Sequence, residues 1–227
     1  MSVKLYHYLL SQPSRALFIF FKKCNIPFES KIVDMKSGEH YSAEFEKINP
    51  FKKVPVIEHK GLFLTESIAI VRYICREFNI DNHWYPKDSL KQARVDEYLE
   101  WQHLNTRMNC AGYFQVKVLI PLMKGKPSKP ELVSTFENRM IETLDQIENI
   151  WLKDRLFLTG DTISVADIFG ACEIEQPRMA GFEPREGRPK LSAWLDRVKH
   201  ETSPHYEEAH KHLNKLANRH DQLHSRL

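Results

Sequence analysis

Apolar positions change their spacing twice within the first eighty residues. Residues 3–7, VKLYH, alternate as a short strand does, and the run SRALFIFFKKC over 14–24 reads as a helix. Alternation then returns in IPFESKIVD. With 28–33 extended, Phe28, Ser30 and Ile32 share one face and Glu29, Lys31 and Val33 the other, which predicts a strand covered mainly on one side, with Val33 beginning to bury the second. Strand, helix and strand in roughly 30 residues form a βαβ unit. Two further extended pieces, PVIEH and LFLT, flank a Lys60-Gly61 turn, and Val71, Ile74, Cys75 and Phe78 follow at helical spacing.

Residues 79–89, NIDNHWYPKDS, break the periodicity, and beyond them the strand signal largely disappears. Trp101, Leu104 and Met108 share a helical face. So do Phe136, Met140, Leu144, Ile147 and Trp151. Val165, Ile168, Phe169 and Cys172 make a third stripe, and Leu191, Trp194, Leu195 and Val198 a fourth. The expected organisation is an α/β domain over 1–80, a linker over 81–88 and an all-helical domain over 89–227. Ser164 and Asp167 stand at capping-box spacing, with Ile163 and Ile168 placed as a hydrophobic staple. That pattern starts a helix and carries no chemistry.

The composition is that of an ordinary globular protein, with 42% hydrophobic and 28% charged residues in a chain of 227. A net charge of +3 with interspersed signs gives no electrostatic case for nucleic acid. No stretch reaches the roughly 18 apolar residues of a membrane helix, and the start lacks a signal-peptide pattern. Cys24, Cys75, Cys110 and Cys172 form no CxxC pair, so free thiols in a reducing compartment, hence a cytoplasmic protein, are expected. No metal site is predicted; His220 and His224 lie four apart on a polar helix end and have no third ligand.

Four motifs occur in order: SQPSR near the start, KVPV opening a strand, TESIAI opening a helix and SVAD in the helical half. Together they resemble a cytosolic glutathione transferase. Ser11, His40 and NPFKKVPV are most similar to the theta class, and the resemblance covers nearly the whole chain. It implies a thioredoxin-like α/β domain followed by an all-α domain, a homodimer, a cis Val54-Pro55 bond, and glutathione as co-substrate with no other cofactor. The implied partners are glutathione and small hydrophobic electrophiles, and the implied role is detoxification. A theta-class member also implies a C-terminal segment folded over the pocket, which the polar, His-rich end of this chain does not resemble.

The residues themselves supply a chemistry for that site. Glutathione presents two carboxylates and a thiol. Glu66-Ser67 precede a helix whose first-turn N–H groups and Ser67 hydroxyl suit the γ-glutamyl carboxylate, with Glu66 for the neighbouring ammonium; as an alternative, Ser67 only caps the helix. The cis bond that the resemblance implies exposes the backbone of Val54 to a peptide ligand pairing as an added strand, and Lys53 and His40 suit the glycyl carboxylate, although each also reads as an ordinary surface residue. Pro13 fits the first helical position, leaving Ser11 just ahead of a helix N-terminus. A serine hydroxyl is no base at neutral pH, but it donates one hydrogen bond to a sulfur anion and so favours thiolate over thiol; its plain alternative is a helix cap. Arg15 adds positive field near the sulfur or makes a surface or interface salt bridge, and Ser14 stands next in line as a hydroxyl. Arg107 and Tyr113 are candidates for the electrophile pocket. Phe51 either lodges in a partner subunit or folds back on the core.

The reaction class this predicts is conjugation of the glutathione thiolate to electrophiles, with reduction of organic hydroperoxides as a second use. The alternative is a non-catalytic protein of the same fold that binds apolar ligands or a protein partner. A thiol-disulfide reductase is disfavoured, since no cysteine stands at position 11.

Overall fold

The computed structural model describes residues 2–224, with side chains as far as Asn218. Strand β1 (Val3–His7), helix α1 (Gln12–Lys23) and β2 (Phe28–Ile32) form the expected βαβ unit, followed by a short helix α2 (Ala43–Glu46), β3 (Val56–His59), β4 (Leu62–Leu64) and α3 (Ser67–Glu77). The sheet order is β2-β1-β3-β4, with β1 parallel to β2 and β3 antiparallel to both β1 and β4. Helices α4 (Ser89–Gln102), α5 (Met108–Phe114), α6 (Ile120–Lys124), α7 (Pro130–Gln146), α8 (Val165–Ile174), α9 (Pro189–Thr202) and α10 (His205–His224) complete the chain. This is the thioredoxin-like α/β part followed by helices that the sequence predicts.

The strand register gathers the site. Tyr6 pairs with Val56, and Ile57 with Leu64. The end of β1, the start of β3 and the end of β4 therefore lie at one end of the sheet, and β2, parallel to β1, finishes there too. The connections holding Ser11, His40, Lys53-Val54 and Glu66-Ser67 all leave from that end.

Helix α1 is apolar almost all round because it is covered twice. Ala16 to Phe21 are buried between the sheet and the helices α8 and α10. Trp84, between α3 and α4, is buried with its ring edge-on to Phe20, and its carbonyl accepts from the Val165 N–H at 2.9 Å. The connection is thus pinned to both halves. At the start of α8 the Asp167 carboxylate accepts from the backbone N–H of Ser164 and of Leu158, each at 2.8 Å, and from Trp194 Nε1 at 2.9 Å. The capping residue therefore also ties α9 and the loop before α8 into the core.

Two stretches depart from the pattern. Ile32 is 71% exposed, so the face of Phe28, Ser30 and Ile32 is not the covered one throughout. β2 is a sheet edge, and its burial passes to Val33, which packs with Phe45, Val54 and Val56. Leu104 and Met108 are also exposed. A π-helical turn over His103–Arg107 widens the helix there and rotates its phase, so that Thr106, Asn109 and Cys110 face inward instead.

His7 gives a pH-dependent contribution. It is 2% exposed, with Nε2 2.7 Å from Ser30 Oγ, and burial lowers its pKa from 6.5 to about 4. The unfolded chain then binds the proton more readily than the folded one, so stability falls as pH drops through the interval between those values. Urea unfolding is expected to show about 2 kcal/mol less stability at pH 5 than at pH 7 from this group. His7→Gln removes that part of the slope; an identical slope in both proteins would assign it to other groups.

Candidate active site

Ser11 is held by its backbone. Its N–H donates to the Tyr8 carbonyl at 2.8 Å, its carbonyl accepts from the Arg15 N–H at 3.0 Å, and its own conformation is extended at φ −82° and ψ 125°. Pro13 stands in the first turn of α1, where a missing N–H costs nothing. The Ser11 hydroxyl makes no capping bond to the helix, so the plain cap reading does not describe it. Ser11 is partly exposed, and its hydroxyl has no hydrogen-bond partner among the described residues. Ser14 is fully buried and its hydroxyl has no partner, so in this conformation it cannot reach a bound ligand.

Arg15 is 0% exposed. Its guanidinium donates to the Leu9 carbonyl at 3.0 Å, to the Cys172 carbonyl at 2.8 Å and to Gln176 Oε1 at 2.6 Å. Burial lowers its pKa, an effect that Cys172, Glu173, Tyr206 and Glu175 oppose. The charge is therefore placed across the junction of α1 with the end of α8.

Ser67 is the first residue of α3, and Glu66, at the cap position, adopts φ +61°. That left-handed backbone is uncommon for a side chain of this size and marks a locally strained turn. Ser67 does not cap the helix either. It is 4% exposed, and Arg107 Nη2 stands 3.4 Å from its oxygen. Arg107 Nε donates in turn to Glu173 Oε1 at 2.9 Å. Glu173 is buried on α8, and its second carboxylate oxygen has no partner. Arg107 ends the π-helical turn of 103–107, and the wider turn sets the direction in which its side chain leaves the helix.

Val54-Pro55 is cis, and Val54 is buried directly before β3. Lys53 is exposed; its carbonyl accepts from Asn49 Nδ2 at 2.7 Å, and Asn49 Oδ1 accepts from the Phe51 N–H at 2.9 Å, which fixes this loop. His40 is buried against the Tyr41 ring, with Nδ1 unpartnered. Phe51 is exposed rather than folded onto the core. Tyr113 is 3% exposed, its ring edge-on to Phe182, and burial pushes its hydroxyl up to about 12. The structure thus gathers Ser11, His40, Lys53, Val54, Glu66 and Ser67 at one end of the sheet and adds Arg107, while Tyr113 lies in the packing between helices.

Glu173 is the residue that sequence patterning overlooks. Its signal is a second acid inside the apolar run VADIFGACEI, beyond the capping Asp167, because a carboxylate so placed needs a cation. The cysteines are all free thiols, and burial pushes Cys75 and Cys172 up to about 12. Among the described residues no group of three His, Cys, Asp or Glu side chains could hold a metal ion, and no helix is long and apolar enough to cross a membrane. His220 and His224 lie outside the described side chains.

Comparison with known proteins meets the same site. Residues 1–76 match the model of the glutathione S-transferase N-terminal domain, and residues 114–201 that of the C-terminal domain. The chain is 44% identical over 198 residues to glutathione S-transferase theta-1 of Bos taurus, and 43% identical to that of Homo sapiens, covering 87% of this chain and 82% of each relative. The apo form of human glutathione-S-transferase T1-1 superimposes with a TM-score of 0.91 at 41% identity, covering 96% of this chain and 91% of that one. A human theta-class enzyme in complex with the glutathione conjugate of 1-menaphthyl sulfate also gives 0.91, at 38% identity and coverage of 96% and 89%. A four-stranded mixed sheet, a helical second half and this similarity along the chain place the protein in the glutathione S-transferase family, among its theta-class members.

Proposed function

We propose that the protein conjugates the thiolate of glutathione to small electrophiles, with Ser11 donating the hydrogen bond that holds the sulfur ionised. The observation that carries this reading is the Ser11 hydroxyl, placed at the start of α1 yet making no bond to the helix it precedes. Val54 offers its backbone to the peptide ligand, and His40 and Lys53 receive the glycyl carboxylate. Ser67 takes the γ-glutamyl carboxylate and Glu66 the ammonium. Arg107, 3.4 Å from Ser67 Oγ, serves the γ-glutamyl end in this reading and not the electrophile. The same thiolate reduces an organic hydroperoxide by attacking its terminal oxygen, forming the sulfenic acid and breaking the O–O bond to an alkoxide, which takes a proton from water and leaves as the alcohol; the thiolate of a second glutathione then displaces hydroxide from the sulfenic acid to give the disulfide. The protein works in the cytoplasm as a homodimer, to which the exposed Phe51, Leu104 and Met108 contribute apolar surface.

The test is a titration of bound glutathione by thiolate absorbance. A midpoint below that of the free tripeptide is expected. A midpoint equal to it would sink the catalytic reading and favour a binding module of the same fold. Arg107→Ala is expected to raise KM for glutathione roughly tenfold with a smaller change in kcat, the signature of lost ground-state binding through one charge-assisted hydrogen bond. Steady-state kinetics with glutathione varied checks this, and an unchanged KM would return Arg107 to the electrophile side.

A further inference from the structure

A cleft of about 290 Å³ runs between the loop that leads into Ser11 and the last helix, α10. Its apolar wall is Leu9, Leu10, Ile32 and Leu216, and its basic side chains are Lys36, His212 and Lys215. His7 contributes to the lining beneath them, buried and with Nδ1 unpartnered. Tyr8 completes the lining, which contains no carboxylate. Two acids stand on the loop that carries Lys36: Asp34, whose Oδ1 accepts from the Lys36 N–H at 3.0 Å and lies 3.4 Å from the Ser37 nitrogen, and Glu39, whose Oε2 accepts from the Asp34 N–H at 2.6 Å. Among the described residues none of Lys36, His212 and Lys215 takes part in an ion pair.

We infer that this cleft receives the electrophile and that Lys36 and Lys215 make it selective for electrophiles carrying an anionic group of their own, such as arylmethyl compounds with a ring carboxylate. The inference rests on the transferase reading above and adds the substrate class. The geometry supplies both halves of such a molecule with a partner. The apolar wall takes the ring, and the two lysines, one after β2 and one on α10, take the carboxylate from opposite sides of the cleft mouth. Leu10 directly precedes Ser11 in the chain, and in this proposal a ring held on the Leu9–Leu10 wall presents its benzylic carbon to the sulfur. There the thiolate, its proton already lost to solvent, donates an electron pair to that carbon. The C–S bond forms, the carbon–halogen bond breaks, and halide leaves with the bonding pair. The ring carboxylate is unchanged throughout and acts only in binding.

The probes are 4-(chloromethyl)benzoate and its neutral methyl ester, each conjugated under the same conditions and corrected for the uncatalysed reaction. The readout is the ratio of their kcat/KM values within one protein, which does not depend on the fraction folded. In wild type the ratio is expected to exceed one and to fall toward one as salt rises. Each charge across a few ångströms of a wet cleft is worth roughly fivefold, so Lys36→Glu/Lys215→Glu should lower the ratio at least tenfold, and the single variants Lys36→Gln and Lys215→Gln each by about threefold or more. A ratio that the double variant lowers by less than threefold overturns the assignment of the lysines while leaving the transferase intact, because the ester is still conjugated. A wild type that conjugates neither probe overturns the inference; if it also leaves bound glutathione with an unshifted titration, the transferase reading falls with it.

Discussion

Ser11→Ala should shift the ionisation of bound glutathione upward by 1–2 pH units and lower kcat/KM roughly ten- to hundredfold at neutral pH. The size follows from what is removed: one hydrogen bond to a full negative charge, worth about 1.5–3 kcal/mol, where each pH unit is about 1.4 kcal/mol. The sign and shape follow from where the sulfur ionises. Free thiols titrate near about 8.5. Well below the wild-type midpoint both proteins hold mainly thiol, and their thiolate fractions differ by the full factor. Above about pH 9 both hold thiolate and the factor shrinks toward one. The deficit of the variant must therefore be largest in acid and fade in alkali, which a hydroxyl that merely shaped the loop would not produce. The residual activity belongs to the positive end of α1 and to proximity, both left intact. A deficit independent of pH would remove Ser11 from the sulfur, and Ser14 cannot replace it, being fully enclosed.

How far the chain could be read before folding depends on the range of the interactions involved. The changes of period along residues 3–78 place β1, α1, β3 and β4 within one or two residues, because strand and helix spacing are local properties. Ser11 and Glu66-Ser67 could be singled out as candidates for the same reason: a hydroxyl ahead of Pro13, and another opening an apolar run, are signals a few residues long. The covered face of β2 was not, since alternation cannot report that a strand lies at the edge of its sheet. The stripe through Leu104 and Met108 failed where a π-helical turn adds a residue and breaks the 3.6 spacing. Glu173 was hidden by distance, as its partner Arg107 lies 66 positions away, and the Arg15 acceptors on Cys172 and Gln176 lie 157 and 161 positions away. The two arginines converge on one end of α8, so the spacing between the loop of Ser11 and the start of α3 at Ser67 depends on contacts that no local pattern contains.

That convergence makes Arg15 the side chain whose loss should cost most in stability. Its guanidinium satisfies the Leu9 carbonyl from the loop before Ser11, and the Cys172 carbonyl and Gln176 amide oxygen from the helical half, the last two out of water. Arg15→Met fills most of the space but leaves those acceptors without a donor, and is expected to destabilise the fold by about 3–5 kcal/mol. Arg15→Lys separates its two candidate roles. A lysine keeps the charge, but its compact ammonium cannot reproduce a planar fork that spans two elements. If Arg15 acts chiefly as a brace, Lys recovers less than half of the lost stability in urea unfolding, and the bound thiolate titrates higher in both variants, because the loop carrying Ser11 is no longer held. If it acts chiefly as a positive field on the sulfur, the titration in Arg15→Lys stays at the wild-type midpoint. The brace is the expected result: the acceptors observed for this guanidinium join α1 and its preceding loop to α8 and the turn after it, and a charge fully withdrawn from solvent on that junction is needed first to hold the two halves in register.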